Sequence, residues 1–477
     1  MELMDYYNME LTMQQLLIKN KWRTMEEDFI ESLPQDQSSD KDEEKTGLWY
    51  AIYILQNAGY KLIASGGQIY IYYKGEYLSL GSRAKTLYFV NRCLLKIDDI
   101  LFAGAKITQK VLEEFYMQYQ ELTPYYDDNC TYINMKSNVL AIYNDGTIET
   151  VPHDQKYNFT YKLNYDHDPD AQCPVFDKFI NSSLNDPELV DVIGEYFGYI
   201  LNNNSKNHEK ALFLYGDGSN GKSTLINIIK ALLGNENISV VELTEMGDML
   251  KCALMDGKIL NISSDAKKNG LDTSAFKKIV SREPILGKYL FKDIYTIVNI
   301  PKLLVAMNKL PYSSGDNSHG FYRRLLLVPF TTVIKEEDKD YGLEAKVISN
   351  ELPALLNFAI TGMQRLTKQG KFTEAKAMKE AMNSYKESAN HVATFLEEEQ
   401  YVAVEATTKT GTKAVTIYKE FATWCKDRGH NPYSSHYLNN ELDHLGYVAY
   451  KNSSKHYRMI RKNNNVENRP LHSGNPY

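Results

Sequence analysis

Nine consecutive residues, Gly216-Asp217-Gly218-Ser219-Asn220-Gly221-Lys222-Ser223-Thr224, leave this chain few ways to fold. They fit G-x-x-x-x-G-K-[ST], and the pattern has the flanks it needs: an apolar, β-like run over 211–215 and a helix-like run over 225–233. Glycines let the backbone curl until its N–H groups, and the positive end of the following helix, face one anion. In such a loop all nine residues cradle the phosphates of ATP; Lys222 reaches the β- and γ-phosphates and the Ser223 hydroxyl ligates Mg²⁺. Further β-like runs at 259–262 and 303–306, separated by helix-like segments, give an α/β plan with a buried parallel sheet.

A nucleoside triphosphatase also needs an acid at a strand end to hold Mg²⁺, and Asp265 follows the apolar run 258–264 as the candidate Walker B residue. Its neighbour Ser264 stands where many such sites carry a second acid, so the general base is left open. Asn308, at the end of the next apolar run, is a polar amide that can orient the attacking water, the role of a sensor 1 residue. Arg323 and Arg324 precede a further apolar run. Either can act as an arginine finger on the nucleotide of a neighbouring subunit, and a finger in trans implies a ring; the other reading is a pair of surface or DNA-contacting arginines.

The chain has 477 residues, which at ~150 per domain suggests about three domains, and 43% hydrophobic residues suffice for real cores. No run of ~18 apolar residues occurs and the first residues are acidic, so no membrane span or leader is expected and the location is read as cytoplasmic. The five cysteines lie far apart without zinc-ligand spacing, which predicts reduced, buried thiols. A net charge of -7 argues against coating DNA with the whole surface; any DNA-binding charge must be local.

Segment 1–46 reads as an amphipathic helix (11–22) running into an acidic linker (35–44). Segment 47–167 reads as a small α+β domain, with a helix over 48–55 and a hairpin turning at Lys74-Gly75. Many of the 36 tyrosines fall in this half, either as core and sheet surface or as stacking platforms for single-stranded DNA. No closely spaced acidic cluster able to hold two polymerase-type metals is visible there. The core is assigned to 168–335, a helical segment packing on it to 336–399, and a C-terminal domain to 400–477.

The order of these parts resembles superfamily 3 helicases of the phage and plasmid primase-helicase type, which are related to poxvirus primase-helicases. The resemblance is carried by 216–224, 261–265, Phe276-Lys277-Lys278-Ile279-Val280-Ser281-Arg282-Glu283-Pro284-Ile285, the Asn308 strand and 321–330, with a softer likeness over 168–398 that includes Gly194-Glu195-Tyr196-Phe197-Gly198-Tyr199. Without an N-terminal primase signature the chain looks like the stand-alone replication initiators of phage-satellite and chromosomal islands. The resemblance implies an AAA+ core in a homo-hexameric ring that hydrolyses ATP and translocates 3′ to 5′ on single-stranded DNA. It also implies a DNA-contacting hairpin after the Walker B acid, which makes Lys288 and Lys292 candidates for phosphate contacts.

The C-terminal segment 402–462 reads as helix (417–425), helix (434–445), strand (447–450), polar turn (451–455) and strand (456–460), the order of a winged helix. Its second helix would enter the major groove of a replication origin, while Lys451, Lys455 and Arg458 supply positive charge against duplex phosphates. The implied partners are single- and double-stranded DNA, further copies of the chain and host replication proteins. Two rival readings are an ATP-switched origin-binding protein without processive unwinding, and a primase-helicase.

Overall fold

The computed structural model describes residues 62–462 apart from 67, 82, 98–107, 114–121, 124, 204–207, 265–271, 291–292, 309–318, 335–336, 338–339, 389–390, 405–410, 429–431, 453–454 and 459. The expected helices at 11–22 and 48–55 and the acidic linker lie outside these residues. The chain divides into two compact units, one formed by 1–266, 274–309 and 323–378, the other by 267–273, 310–322 and 379–477.

In the first unit, strands β1 (Leu62–Ser65), β2 (Gln68–Tyr73) and β3 (Glu76–Ser79) form an antiparallel sheet, followed by helix α1 (Arg83–Ile97). The β2–β3 turn falls on Lys74-Gly75 because both adopt positive φ (45° and 98°), which a two-residue hairpin turn requires. A second antiparallel sheet comprises β4 (Cys130–Asn134), β5 (Val139–Tyr143) and β6 (Ile148–Val151). Buried Asn134 links the two, donating Nδ2 to the carbonyls of Gly75 (2.9 Å) and Tyr161 (2.7 Å). Of the tyrosines here, Tyr77 and Tyr161 are buried, and Tyr132, Tyr157, Phe159 and Tyr161 form a chain of ring contacts. Aromatic packing is thus one use of the tyrosine-rich half.

Helices α2 (Pro174–Leu184) and α3 (Pro187–Leu201) precede the central sheet. Asp186 caps α3 by accepting from Glu188 N, and Pro187 fits the first turn, where no N–H partner is needed. Next come β7 (Ala211–Tyr215), α4 (Lys222–Leu233), β8 (Ile238–Ser239), β9 (Leu260–Ser264), α5 (Thr273–Val280), the hairpin β10 (Ile285–Lys288) and β11 (Ile294–Ile297), β12 (Lys302–Met307) and β13 (Leu325–Pro329). The central sheet runs β13-β7-β12-β9-β8, every neighbour parallel. Every residue of β12 and β13 is buried, as a parallel sheet covered on both faces demands. The two-residue β8 is too short to carry a periodic signal, so the sequence did not show it.

Helices α6 (Leu343–Asn350) and α7 (Leu352–Gln369) close this unit, α7 lying against α3. A Cβ on Gly362 would sit 2.1 Å from the Gly194 carbonyl, and one on Gly198 would sit 2.5 Å from that of Ala359. The glycines of the 194–199 motif therefore let two helix backbones touch. Its Glu195 is fully buried and neutralised by Arg365 Nε (2.9 Å), with Thr373 N (2.8 Å) and Oγ1 (2.6 Å) completing its partners.

The second unit holds most of α8 (Lys376–Ser388), then α9 (His391–Glu398), β14 (Tyr401–Ala403), β15 (Thr412–Lys413), α10 (Ala414–Asp427), α11 (Ser435–His444), β16 (Ala449–Asn452), β17 (Lys455–Arg458) and β18 (Ile460–Lys462). Val392, Phe395 and Leu396 of α9 share its core with Phe421, Trp424, Leu438, Leu442 and Ile460, so the boundary expected at 399 cuts through this core. The expected helix, helix, hairpin order is present, with both strands shifted by one or two residues and three short strands, β14, β15 and β18, added. β14 pairs with β18 and β15 with β17; at three and two residues they fall below what alternation can reveal. Among the described residues no helix is long and apolar enough to cross a membrane.

Candidate functional site

The loop at 216–221 leaves the carboxyl end of β7, between its neighbours β12 and β13. Two glycines are required by geometry. Gly216 has φ +152° and a Cβ there would meet the Phe330 carbonyl at 2.2 Å; Gly221 has φ +90° and a Cβ there would meet Ser183 Oγ at 2.9 Å. Asn220 is buried and donates Nδ2 to the carbonyls of Asp217 and Phe330 (2.5 and 2.9 Å). The loop is also bound from outside, by Ile334 N to Ser219 O at 2.9 Å. Asp217, Gly218 and Ser219 are exposed, so the outer rim of the loop faces solvent.

Lys222 opens α4 and turns back inside the loop. Its ammonium donates to the carbonyls of Gly216 (2.6 Å) and Asp217 (3.0 Å) and to Asn220 Oδ1 (2.9 Å). Only 7% of Lys222 is exposed; burial pulls its pKa below the ordinary lysine value and the Asp217 carboxylate partly opposes this. An ammonium so placed can exchange these neutral acceptors for the charged oxygens of an anion. Ser223 is exposed and Thr224 half-buried in the first turn, among the helix N–H groups that lack intrahelical partners.

The carboxyl ends of β9 and β12 finish beside the loop. Ala306 pairs with Ser264 and Met307 with Tyr215, and Gly216 N donates to Met307 O at 3.3 Å. Asn308, one residue beyond β12, is exposed at this edge. Asp265, one residue beyond β9, lies outside the described residues. A carboxylate the sequence did not single out reaches β9: Glu242 Oε2 accepts from Ser263 Oγ at 2.6 Å. Among the described residues, no group of three or more His, Cys, Asp or Glu side chains could hold a metal.

Arg323 and Arg324 stand at the opposite end of the sheet. Ala211 N donates to Arg324 O at 2.9 Å, and the register runs from Leu325 opposite Ala211 to Pro329 opposite Tyr215. Five strand residues thus separate the arginines from the loop of the same chain, roughly 20 Å at about 3.3 Å per residue. The arginines differ from each other. Arg324 has a side chain 10% exposed and donates to Ser281 Oγ (2.7 Å), while that of Arg323 is 48% exposed; both pair with Glu209. Pairing across more than a hundred positions leaves no trace in local pattern, and so Glu209 was not visible in the sequence.

Lys288 is half-buried at the end of β10, opposite Ile294; Lys292 lies outside the described residues. Around the hairpin tip the exposed side chains include the apolar Leu286, Leu290 and Ile294. In the second unit Lys455 is exposed, whereas the Lys451 side chain lies outside the description. Arg458 departs from the expected exposed contact. It is 4% exposed, ion-paired with Asp443, and hydrogen-bonded to Asn439 Oδ1 (3.0 Å) and to the carbonyls of Asn439 (2.8 Å) and Tyr447 (3.1 Å). It fastens β17 to α11, and a side chain so engaged is not offered to DNA. The inward face of its strand decides this, and a slip of a single residue in register exchanges the inward and outward sets.

Fold and site together define an α/β protein with a glycine-rich, lysine-bearing loop at the carboxyl edge of a five-stranded parallel sheet. Residues 214–324 match the family described as "Family of unknown function (DUF5906)". The apo structure of the NrS-1 C-terminal region has the same fold at 13% identity, with a TM-score of 0.51 over 87% of this chain and 99% of that one. A further structure of that region, its A form, gives a TM-score of 0.48 at 11% identity, covering 87% of this chain and 99% of that one.

Proposed function

We propose that this chain is an ATP-hydrolysing DNA helicase of the superfamily 3 type, acting as a ring in the replication of a mobile element. The observation that carries the reading is the polarity of the sheet: the lysine-bearing loop is at one end and the arginine pair at the other. Arginines that cannot reach their own loop can complete the site of an adjacent copy, and head-to-tail contacts of that kind close into rings. The sheet order, with the loop-bearing first strand between the last and the fourth, supports an AAA+ core.

The residues present fit a magnesium nucleotide. The loop admits no side chain at 216 or 221, its lysine is turned inward, and Ser223 is exposed beside the helix N-terminus. Ser223 and Asp265 would hold Mg²⁺, which when bound neutralises charge on the β- and γ-phosphates. Lys222 binds phosphate oxygens, Asn308 orients the attacking water, and an arginine from the neighbour stabilises charge on the transferring group. Lys288 on the hairpin contacts DNA phosphates, and the second unit, read as a winged helix, binds origin duplex through α11 and Lys455.

Strand displacement tests this directly. The full-length protein with ATP and Mg²⁺ is expected to unwind a 3′-tailed fork, and Lys288→Ala to retain ATP hydrolysis while losing unwinding. Hydrolysis without unwinding by the wild-type protein would move the assignment to an ATP-switched origin binder. Primer synthesis from ribonucleotides would move it to a primase-helicase.

A further inference from the structure

We infer that Glu209 is the positioning residue that aims Arg323 at the nucleotide of the adjacent subunit, a reading that rests on the trans arrangement proposed above. A single carboxylate oxygen, Oε2, receives both guanidinium groups, Arg323 Nη2 at 2.6 Å and Arg324 Nη2 at 3.2 Å. Arg324 is the buried anchor of this bridge, its Nη2 and Nε also donating to Ser281 Oγ, and Arg323 is its solvent-facing end. Lys210 fixes the same residue through its backbone, donating Nζ to Arg323 O at 2.5 Å. Arg323 is therefore held at the carbonyl and at the tip of its side chain by two successive residues.

A solvent-exposed ion pair by itself contributes little to stability, and the backbone here indicates more than an incidental contact. Glu209 adopts φ +43°, a conformation that a side chain with a Cβ enters at a cost and keeps only when its surroundings determine it. The geometry also leaves the guanidinium usable. One oxygen engages one nitrogen of a group with five N–H donors, so a fork edge stays open to a phosphate. A finger oriented in advance loses less conformational freedom when it engages, which is where positioning enters a rate.

Glu209→Gly in the full-length protein removes the carboxylate and relaxes the left-handed backbone, which offsets the ionic partner lost to Arg324, whose guanidinium keeps Ser281 Oγ as an acceptor. The expected result is a fall in ATP kcat of about a hundredfold, with little change in KM and no loss of melting temperature. Glu209→Gln, which keeps an acceptor oxygen, should recover part of that rate. Mixing Glu209→Gly with Lys222→Ala subunits should restore hydrolysis, because one interface then joins an intact loop to a positioned finger. A Glu209→Gly kcat within about twofold of wild type overturns the inference. If Arg323→Ala complements Lys222→Ala but Glu209→Gly does not, the positioning role fails and the trans arrangement stands. If neither pair complements in rings verified to be mixed, both fall together.

Discussion

Asn220 donates its side-chain amide to the carbonyl of Phe330 at 2.9 Å, tying the glycine loop to the residue that follows β13. Phe330 N in turn donates to Tyr215 O at 2.7 Å, so the loop is held against the strand whose other end begins at the arginine pair. One strand thus joins the loop to the far edge of the sheet.

Under the proposed function, Lys222→Ala is expected to lower ATP turnover by on the order of 10²–10³ or more, because the ammonium would then be lost from the transferring phosphates. Burial of this lysine is deeper than its sequence position suggests, yet its three partners are loop acceptors near an exposed rim that water can satisfy. Cooperative unfolding should persist in the variant, as checked by calorimetry. Turnover at the wild-type rate would remove Lys222 from the site.

Asp256 gives a pH-dependent prediction. Burial pushes its carboxyl up to about 6, against the smaller opposing effects of Tyr295 and Lys258. A folded-state value above the unfolded one means that the neutral form favours the fold; this contribution is complete below about pH 4 and is lost as pH rises through about 6. Asp256→Asn should therefore melt higher than wild type near pH 8, with the difference closing toward about pH 4. A difference independent of pH would show that Asp256 does not titrate in this range.

Arg458 and Lys455 should separate structure from binding in the second unit. Arg458→Ala removes a buried guanidinium and its bonds to Asn439, Tyr447 and the half-exposed Asp443, and is expected to destabilise that unit by about 1–3 kcal/mol. Lys455→Ala removes an exposed charge, so stability should hold, and under the proposed function duplex affinity should fall and its salt dependence weaken by about one phosphate contact. Equal loss of duplex binding in both variants with unchanged melting would return Arg458 to the surface.

What the sequence made legible was whatever chemistry is local. The loop pattern needs a strand before it and a helix after it, and Ala211–Tyr215 and Lys222–Leu233 occupy those places. The turn at Lys74-Gly75 was readable because two residues alone determine it. Strands of two or three residues were not readable, since alternation needs more length than β8, β14 or β15 has. The facing of Arg458 was missed because one residue of register reverses a strand's faces, and Glu209 because its partners are distant in the chain.

The placement of loop and arginines at opposite ends of β7 and β13 has a consequence for abundance. Under the proposed function a lone subunit carries two unmatched halves, and hydrolysis begins only where copies meet. The rate then climbs more steeply than in proportion to the number of molecules, so a host with few copies spends little ATP on them. Onset of replication would follow from crowding of the protein onto one stretch of DNA, with dilution at cell division as the natural off switch.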